Sequence, residues 1–397
     1  MKAPRLSRRT AALTPSSTIE VARAAKALAA SGADIVDFGL GEPDFDTPSF
    51  VAEAGIAAIR AGKTRYTDVG GAPSLRDAIA EKYQREQGAR LARENVLVTA
   101  GAKQAVFNAC QALFQEGDEV AIFAPYWVSF PEMVRLAGAS PRIVSTDLAS
   151  GWQPTASGLS QQAGPNTRGV IVNSPSNPTG AVIGEEELRR ILEWCKEREA
   201  FLIFDETYDR FLYDERPHVS AVRFRESHGD RLIVTGSASK TYAMTGWRLG
   251  WAVGPSGLLT AMASYQSHST SNASSISQEA ARAALTDVAR SDASVQQMLA
   301  QYADRRAAML EGFAALPEAS CVPPEGAFYI FARLDGLYAK KGLSGSVELC
   351  RSLLEKAHVA AVPGDAFGDD SCVRFSFATP LPRIEEGMRR IREWAKE

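Results

Sequence analysis

The sequence predicts an α/β protein, a mostly parallel, doubly wound sheet followed by a smaller α+β unit. Two patterns and the length carry that expectation. From about residue 50 to 255, short apolar runs alternate with longer amphipathic stretches, as strands joined by helical crossovers do. After residue 284 the alternation stops, and a long helical stretch leads into a strand–helix–strand–helix tail. At 397 residues the chain exceeds what one small core accommodates, so two closely packed parts are expected.

Segments 51–61 and 74–87 carry apolar residues at helical spacing. Run 96–99 (VLVT) is strand-like and passes through Gly101 into a helix ending near Leu113. Runs 120–123 (VAIF), 169–173 (GVIVN), 201–205 (FLIFD) and 232–235 (LIVT) are further short strands, apolar throughout because both faces of a parallel sheet are covered. Segment 185–199 is a helix between two of them. The tail holds a helix over about 291–316, a strand at 326–331 (GAFYIF), a helix near 347–356 and a strand at 373–377 (VRFSF). There is no internal repeat, low-complexity tract or long linker.

Composition narrows the function. A hydrophobic content of 45% and a charged content of 23% are ordinary for a globular protein. The net charge of −3 offers no footprint for nucleic acid or an anionic membrane. Lys2, Arg5, Arg8 and Arg9 precede no apolar stretch, and no run is long enough to span a bilayer, so neither a secretory signal nor a membrane helix is expected. The five cysteines are scattered, odd in number and without C-x-x-C spacing, and the four histidines form no metal-ligand pair. A reducing, cytoplasmic setting and no metal site are the expectation. Two phosphate-loop look-alikes fail: 61–64 (AGKT) has Ala57 where the first P-loop glycine belongs, and 39–44 (GLGEPD) lacks the third glycine of a dinucleotide fingerprint.

In doubly wound sheets ligands gather at the carboxyl ends of strands, and here those ends deliver apt residues. Run 236–248 (GSASKTYAMTGWR) follows a buried strand. Lys240 there is a single cation whose amine burial would neutralise, making it a nucleophile towards carbonyls, while Ser237, Ser239 and Arg248 suit a phosphate. An aldehyde-bearing phosphate ester such as pyridoxal 5′-phosphate needs both. Asp205 closes its strand and needs a cation, which a protonated pyridine nitrogen supplies. Tyr208, three residues on, and Asn177, in the rigid loop 173–180 (NSPSNPTG), could both reach the ring's phenolate oxygen. In 100–104 (AGAKQ), N–H groups at a helix start cradle phosphate, and Lys103 is available for a second anion such as a substrate carboxylate. Trp127, in 124–127 (APYW), can stack on a planar ring. Arg374, alone in an alternating strand, suits a bidentate carboxylate clamp. Taken singly, each has an ordinary alternative: a capping aspartate, a structural loop, a glycine-assisted turn, a core tryptophan, a surface arginine.

With these residues together, the chain resembles fold-type I pyridoxal-phosphate enzymes and, within them, the class I/II aminotransferases. The resemblance runs nearly end to end through 41–46 (GEPDFD), 63–66 (KTRY), 125–127, 173–180, Asp205-Glu206, 237–248, Pro363-Gly364 and Arg374, and is nearest to bacterial aspartate aminotransferases whose phosphate loop reads GGKQ. It implies a three-layer sandwich divided into an N-terminal arm (1–12), a small domain (13–47 and 286–397) and a large cofactor-binding domain (48–285). It also implies the roles. Lys240 would bond the cofactor aldehyde and later shuttle a proton, with Asp205 on the ring nitrogen and Tyr208 and Asn177 on the phenolate oxygen. Trp127 would stack, and Gly101, Ala102, Lys103, Ser237 and Arg248 would line the phosphate side, with Tyr66 reaching in from a neighbouring subunit. Arg374 and the Gly41 backbone, with Trp127 and Asn177, would receive the substrate carboxylate. A homodimer with shared sites follows.

The expected reaction is transfer of an amino group from aspartate, or a similar amino acid, to 2-oxoglutarate by a ping-pong mechanism. The distal carboxylate would meet Lys103, helped by hydroxyls of Ser16, Ser17 and Thr18 or by the partner chain's Ser269 and Thr270. No arginine lies in 265–278, which leaves prephenate, arogenate or aromatic donors open, as does a β-lyase on the same scaffold. A transcription regulator on this fold would need an appended winged helix, for which no room is expected ahead of Ser16.

Overall fold

The seven-stranded sheet is the frame on which the site hangs. The computed structural model describes Ser7, Thr10, Leu13 and residues 17–397, with side chains from Arg23 onward and at those three positions. Its strands are β1 (Val36–Asp37), β2 (Val96–Thr99), β3 (Glu119–Ala124), β4 (Ser140–Ser145), β5 (Thr167–Asn173), β6 (Phe201–Asp205), β7 (Leu232–Ser237), β8 (Gly250–Val253), β9 (Tyr329–Arg333), β10 (Val359–Ala360), β11 (Val362–Pro363) and β12 (Cys372–Ser376). The large sheet has the order β2-β8-β7-β6-β5-β3-β4. Neighbours in it are parallel except for β8, which runs antiparallel to both β2 and β7.

Alternation along the strands feeds two cores, one on each face. Val96, Val98, Ala121, Phe123, Val170 and Val172 pack with helices Ser49–Arg60, Pro73–Gln87, Glu185–Glu197 and Ser275–Thr286. Leu97, Val120, Ile122, Ile171, Ile203 and Ile233 pack on the other face with helices Ala102–Leu113, Ser129–Leu136 and Ser256–Ser267. This is the three-layer α/β architecture the sequence predicts, since period-2 side chains must bury both faces.

A third core, rich in aromatic residues, joins the C-terminal region to the segment around β1. Here β9, β11 and β12 form an antiparallel sheet, and β1 pairs in parallel with β10 through Val36↔Val359. Helices Val288–Ala314 and Leu381–Lys396 cover it. Tyr208, Phe211, Tyr213 and Ala243, from the large-sheet region, belong to this same core, so the two regions share packed side chains.

Several boundaries differ from expectation. The GAFYIF run enters a strand only at Tyr329, because Gly326 bridges to Leu212 and Ala327 and Phe328 form a turn into it. The helix near 347–356 is regular over Ser346–Ser352, then widens to a π-turn over Leu353–Ala357 before His358 in a left-handed conformation. Strands β4 and β8 escaped the sequence pattern. The first is an edge strand with mostly exposed polar residues (SPRIVS), and the second is only four residues long.

Candidate active site

Sheet register brings the site residues into line. Asn173 and Asp205 end β5 and β6 as direct neighbours, with Thr235 of β7 beside Asp205, and Ser237, which ends β7, forms a second row with Gly250 and Thr99. Residues from these strand ends and the loops beyond line a cleft of about 720 Å³ with Arg374 and Tyr329 from the three-stranded sheet. Its walls hold Gly41, Ala102, Lys103, Trp127, Asn177, Asp205, Tyr208, Ser237, Lys240, Arg248 and Arg374. Sequence reasoning had gathered all of these from seven separate segments.

Four cations face this cleft, and each rests on a neutral partner. Lys240 Nζ donates to the Gly41 carbonyl. Burial, with Arg248, Arg374 and Lys103 nearby, lowers its pKa to about 8 against the opposing pull of Glu42. Lys103 Nζ lies over the Trp127 ring at 4.9 Å, and burial and Arg248 lower its pKa. Arg248 donates to the carbonyls of Thr245 and Ala100. Arg374, 2% exposed, donates to Asn177 Oδ1 at 3.1 Å and Gly39 O at 2.9 Å, and its Nε is buried without a partner. Lys103 and Arg248 remain exposed, but burying the unneutralised charge of Arg374 and Lys240 is costly unless anions complete it.

Asp205 poses the converse problem. Its carboxyl is buried, and burial raises its pKa to about 6 although the Thr207 hydroxyl and N–H both donate to Oδ1, at 2.8 and 3.1 Å. A carboxylate in such a place is satisfied by a cation at the cleft side.

The phosphate end is built from close backbone approach. Gly101 caps helix Ala102–Leu113 at φ 84°, and a Cβ there would stand 2.5 Å from Arg248 Nη2. A Cβ on Gly250 would stand 2.3 Å from the Ala102 nitrogen. Free N–H groups of a helix start beside an arginine bind phosphate well. A phosphate ester with a cationic ring therefore fits, which meets the chemistry of pyridoxal 5′-phosphate at the phosphate end, the ring nitrogen and the amine.

Some expected residues sit elsewhere. Tyr66 is 91% exposed and outside the cleft of its own chain. Thr270 bonds Gln104, next to Lys103, within the same chain. Ser16 and the side chains of Ser17 and Thr18 lie outside the described residues. The Gly41 carbonyl holds the Lys240 amine, so that loop contacts the base as well as the expected carboxylate site.

Sequence reasoning gave no role to several residues that line the cleft, Tyr329 and Glu42 among them. Tyr329 bonds the Tyr208 hydroxyl at 2.9 Å and carries the Arg374 guanidinium 4.5 Å from its ring centroid. Glu42 accepts from Thr245 Oγ1 at 2.7 Å. The GAFYIF aromatics read as plain core, so only the strand pairing Arg374↔Phe331, which brings the arginine's strand beside them, could have exposed Tyr329.

A cation-lined cleft with a buried nucleophilic lysine, at the strand ends of this α/β sheet, defines a pyridoxal-phosphate enzyme of the transaminase type. Residues 33–391 match the model for aminotransferase class I and II, and the chain belongs to that family. It is an aminotransferase, dependent on pyridoxal 5′-phosphate, that acts on amino acids and 2-oxo acids. Among curated relatives, it is 41% identical to a probable aspartate/prephenate aminotransferase of Aquifex aeolicus, covering 99% of both chains. It is 40% identical to the aspartate aminotransferase of Geobacillus stearothermophilus, covering 98% of each. Among solved structures, the aspartate aminotransferase from Thermus thermophilus with maleate superposes with a TM-score of 0.94 at 40% identity, over 99% of this chain and 100% of that one. No helix among the described residues is long and apolar enough to cross a membrane.

Proposed function

We propose that the chain moves the amino group of aspartate to 2-oxoglutarate by alternating half-reactions in one cleft. The observation that carries this is Arg374, buried with only neutral acceptors and an unpartnered Nε, in a cleft that Lys103 also enters. Two cations on different elements suit a substrate with two carboxylates. The Thermus relative solved with maleate, a dicarboxylate, supports the same class of ligand.

Gly101, Ala102, Ser237 and Arg248 would hold the cofactor phosphate, with Lys103 on that side of the cleft. Asp205 would hold the ring nitrogen, Asn177 and Tyr208 the phenolate oxygen, and Trp127 a ring face. When bound, the cofactor supplies an aldehyde for the substrate amine and a ring that takes up carbanion charge. Arg374 fixes the substrate α-carboxylate with the Gly41 loop, which presents the Cα–H to Lys240. With its amine poised near neutrality, Lys240 would take that proton and hold it for return later in the cycle. Closure of the region bearing Arg374 excludes water.

The domain division is a large domain at 48–285 and a small domain at 13–47 with 286–397. The protein works in the cytoplasm as a homodimer in which Tyr66 serves the partner's phosphate site. Its 91% exposure, beside Ile59 at 54%, supports that assembly. A second reading, with prephenate as acceptor, is favoured by the named activity of the Aquifex relative. Aspartate plus 2-oxoglutarate should yield oxaloacetate and glutamate in equal amounts. Pyruvate and ammonia released without any oxo-acid acceptor would overturn the transaminase reading in favour of a β-lyase.

A further inference from the structure

Behind the cleft lies a buried polar layer that the chemistry above does not use. Helix Pro73–Gln87 delivers two consecutive side chains to it, Lys82 and Tyr83, both almost fully buried. Lys82 Nζ binds Asp209 Oδ2 and Glu86 Oε2, each at 2.7 Å. The other oxygen of Asp209 accepts from Thr241 Oγ1 at 3.0 Å. Tyr83 donates to Glu206 at 2.7 Å and accepts from Trp251 Nε1 at 3.1 Å, while His218 Nε2 lies 3.0 Å from the second Glu206 oxygen. Asp209 N–H donates to the Glu206 carbonyl at 2.9 Å, which closes the layer.

The placement of its ends is informative. Thr241 directly follows Lys240, and Glu206 directly follows Asp205. A buried ion pair is a poor source of net stability, because desolvation offsets its attraction. Its best-attested use is to fix one geometry among several. The Lys240 segment, between β7 and β8, has turns in place of a helix or strand to hold it.

We propose that Asp209, charged and oriented by Lys82, is a positioning residue that acts through Thr241 to hold the Lys240 amine at the angle needed to bond the cofactor. The claim rests on Lys240 being the cofactor lysine. The phosphate grip, built from Gly101, Ala102, Ser237 and Arg248, does not pass through this layer. Loss of the brace therefore separates cofactor binding from its covalent attachment.

The test uses apoprotein of wild type, Thr241→Val, Thr241→Ala and Thr241→Ser, mixed with pyridoxal 5′-phosphate. Attachment is followed by cofactor absorbance and by borohydride reduction with tryptic mapping, and melting temperatures are recorded alongside. Thr241→Val and Thr241→Ala should bind cofactor with near wild-type affinity yet attach it about ten- to a hundredfold more slowly, the scale of small misplacements of a reacting group. In these variants kcat should fall with little change in KM, and Thr241→Ser should restore both rates. Attachment at the wild-type rate in Thr241→Val or Thr241→Ala overturns the proposal, and a lower melting temperature with normal attachment overturns it equally, by showing a merely structural role. Label on a lysine outside residues 232–248 in the wild type would instead refute the choice of Lys240.

Discussion

Arg374→Lys isolates the carboxylate clamp. The native guanidinium is buried on β12, with one N–H on Asn177 Oδ1, another on Gly39 O, and its carbon 4.5 Å from the Tyr329 ring centroid. That anchoring leaves the remaining fork of donors, including the unpartnered Nε, for a planar carboxylate. A lysine keeps the charge but offers a point contact. One charge-assisted hydrogen bond of the pair is lost, about 1.5–3 kcal/mol, so kcat/KM should fall roughly 10- to 150-fold. The assay is single-turnover consumption of aspartate and of alanine, read from the cofactor spectrum. Every amino acid carries an α-carboxylate, so both substrates should lose the same factor. A loss confined to aspartate would refute the assignment, because it would place Arg374 at the distal carboxylate.

Three further outcomes follow from the same geometry. Lys103→Met should slow aspartate by roughly 5- to 30-fold, for a partly exposed contact of about 1–2 kcal/mol, and leave alanine unchanged in single-turnover rates. Asp205 has its pKa raised by burial from 3.8 to about 6. Its contribution to stability is therefore complete below pH 4 and is lost as pH rises through 6, by roughly 3 kcal/mol. Apoprotein should lose that stability in denaturant titrations between those pH values, Asp205→Asn should not, and cofactor should reverse the loss by supplying the cation. In sedimentation equilibrium the protein should run at about twice its 42.7 kDa chain mass, with Ile59→Glu shifted towards the monomer. A single-chain mass for the wild type at micromolar concentration would contradict the shared site.

The sheet was legible because its strands are continuous apolar runs between turns, and the site because several strand ends together deliver polar residues that each have an ordinary explanation alone but one shared use in combination. Asp205 at the end of FLIFD and Lys240 after LIVT announce themselves by cost: each is a charge that burial penalises. Strand β8 was not legible, since four residues after a long loop carry no period, yet it supplies Gly250, on which the phosphate end closes. Tyr329 was hidden for a different reason. A tyrosine in an aromatic core run looks like packing, and only the register of β9 against β12 brings it under Arg374. The Lys82–Asp209–Thr241 chain joins residues 127 and 32 positions apart, a separation that local pattern cannot report.

The most direct test of the two-carboxylate cleft is a set of single-turnover rates across aspartate, glutamate, alanine, phenylalanine and arogenate, read from the cofactor spectrum of the wild type. Aspartate and glutamate should convert fastest, with alanine and phenylalanine slower by roughly tenfold or more, the value of one charge-assisted contact. Alanine or phenylalanine converting as fast as aspartate would contradict the account.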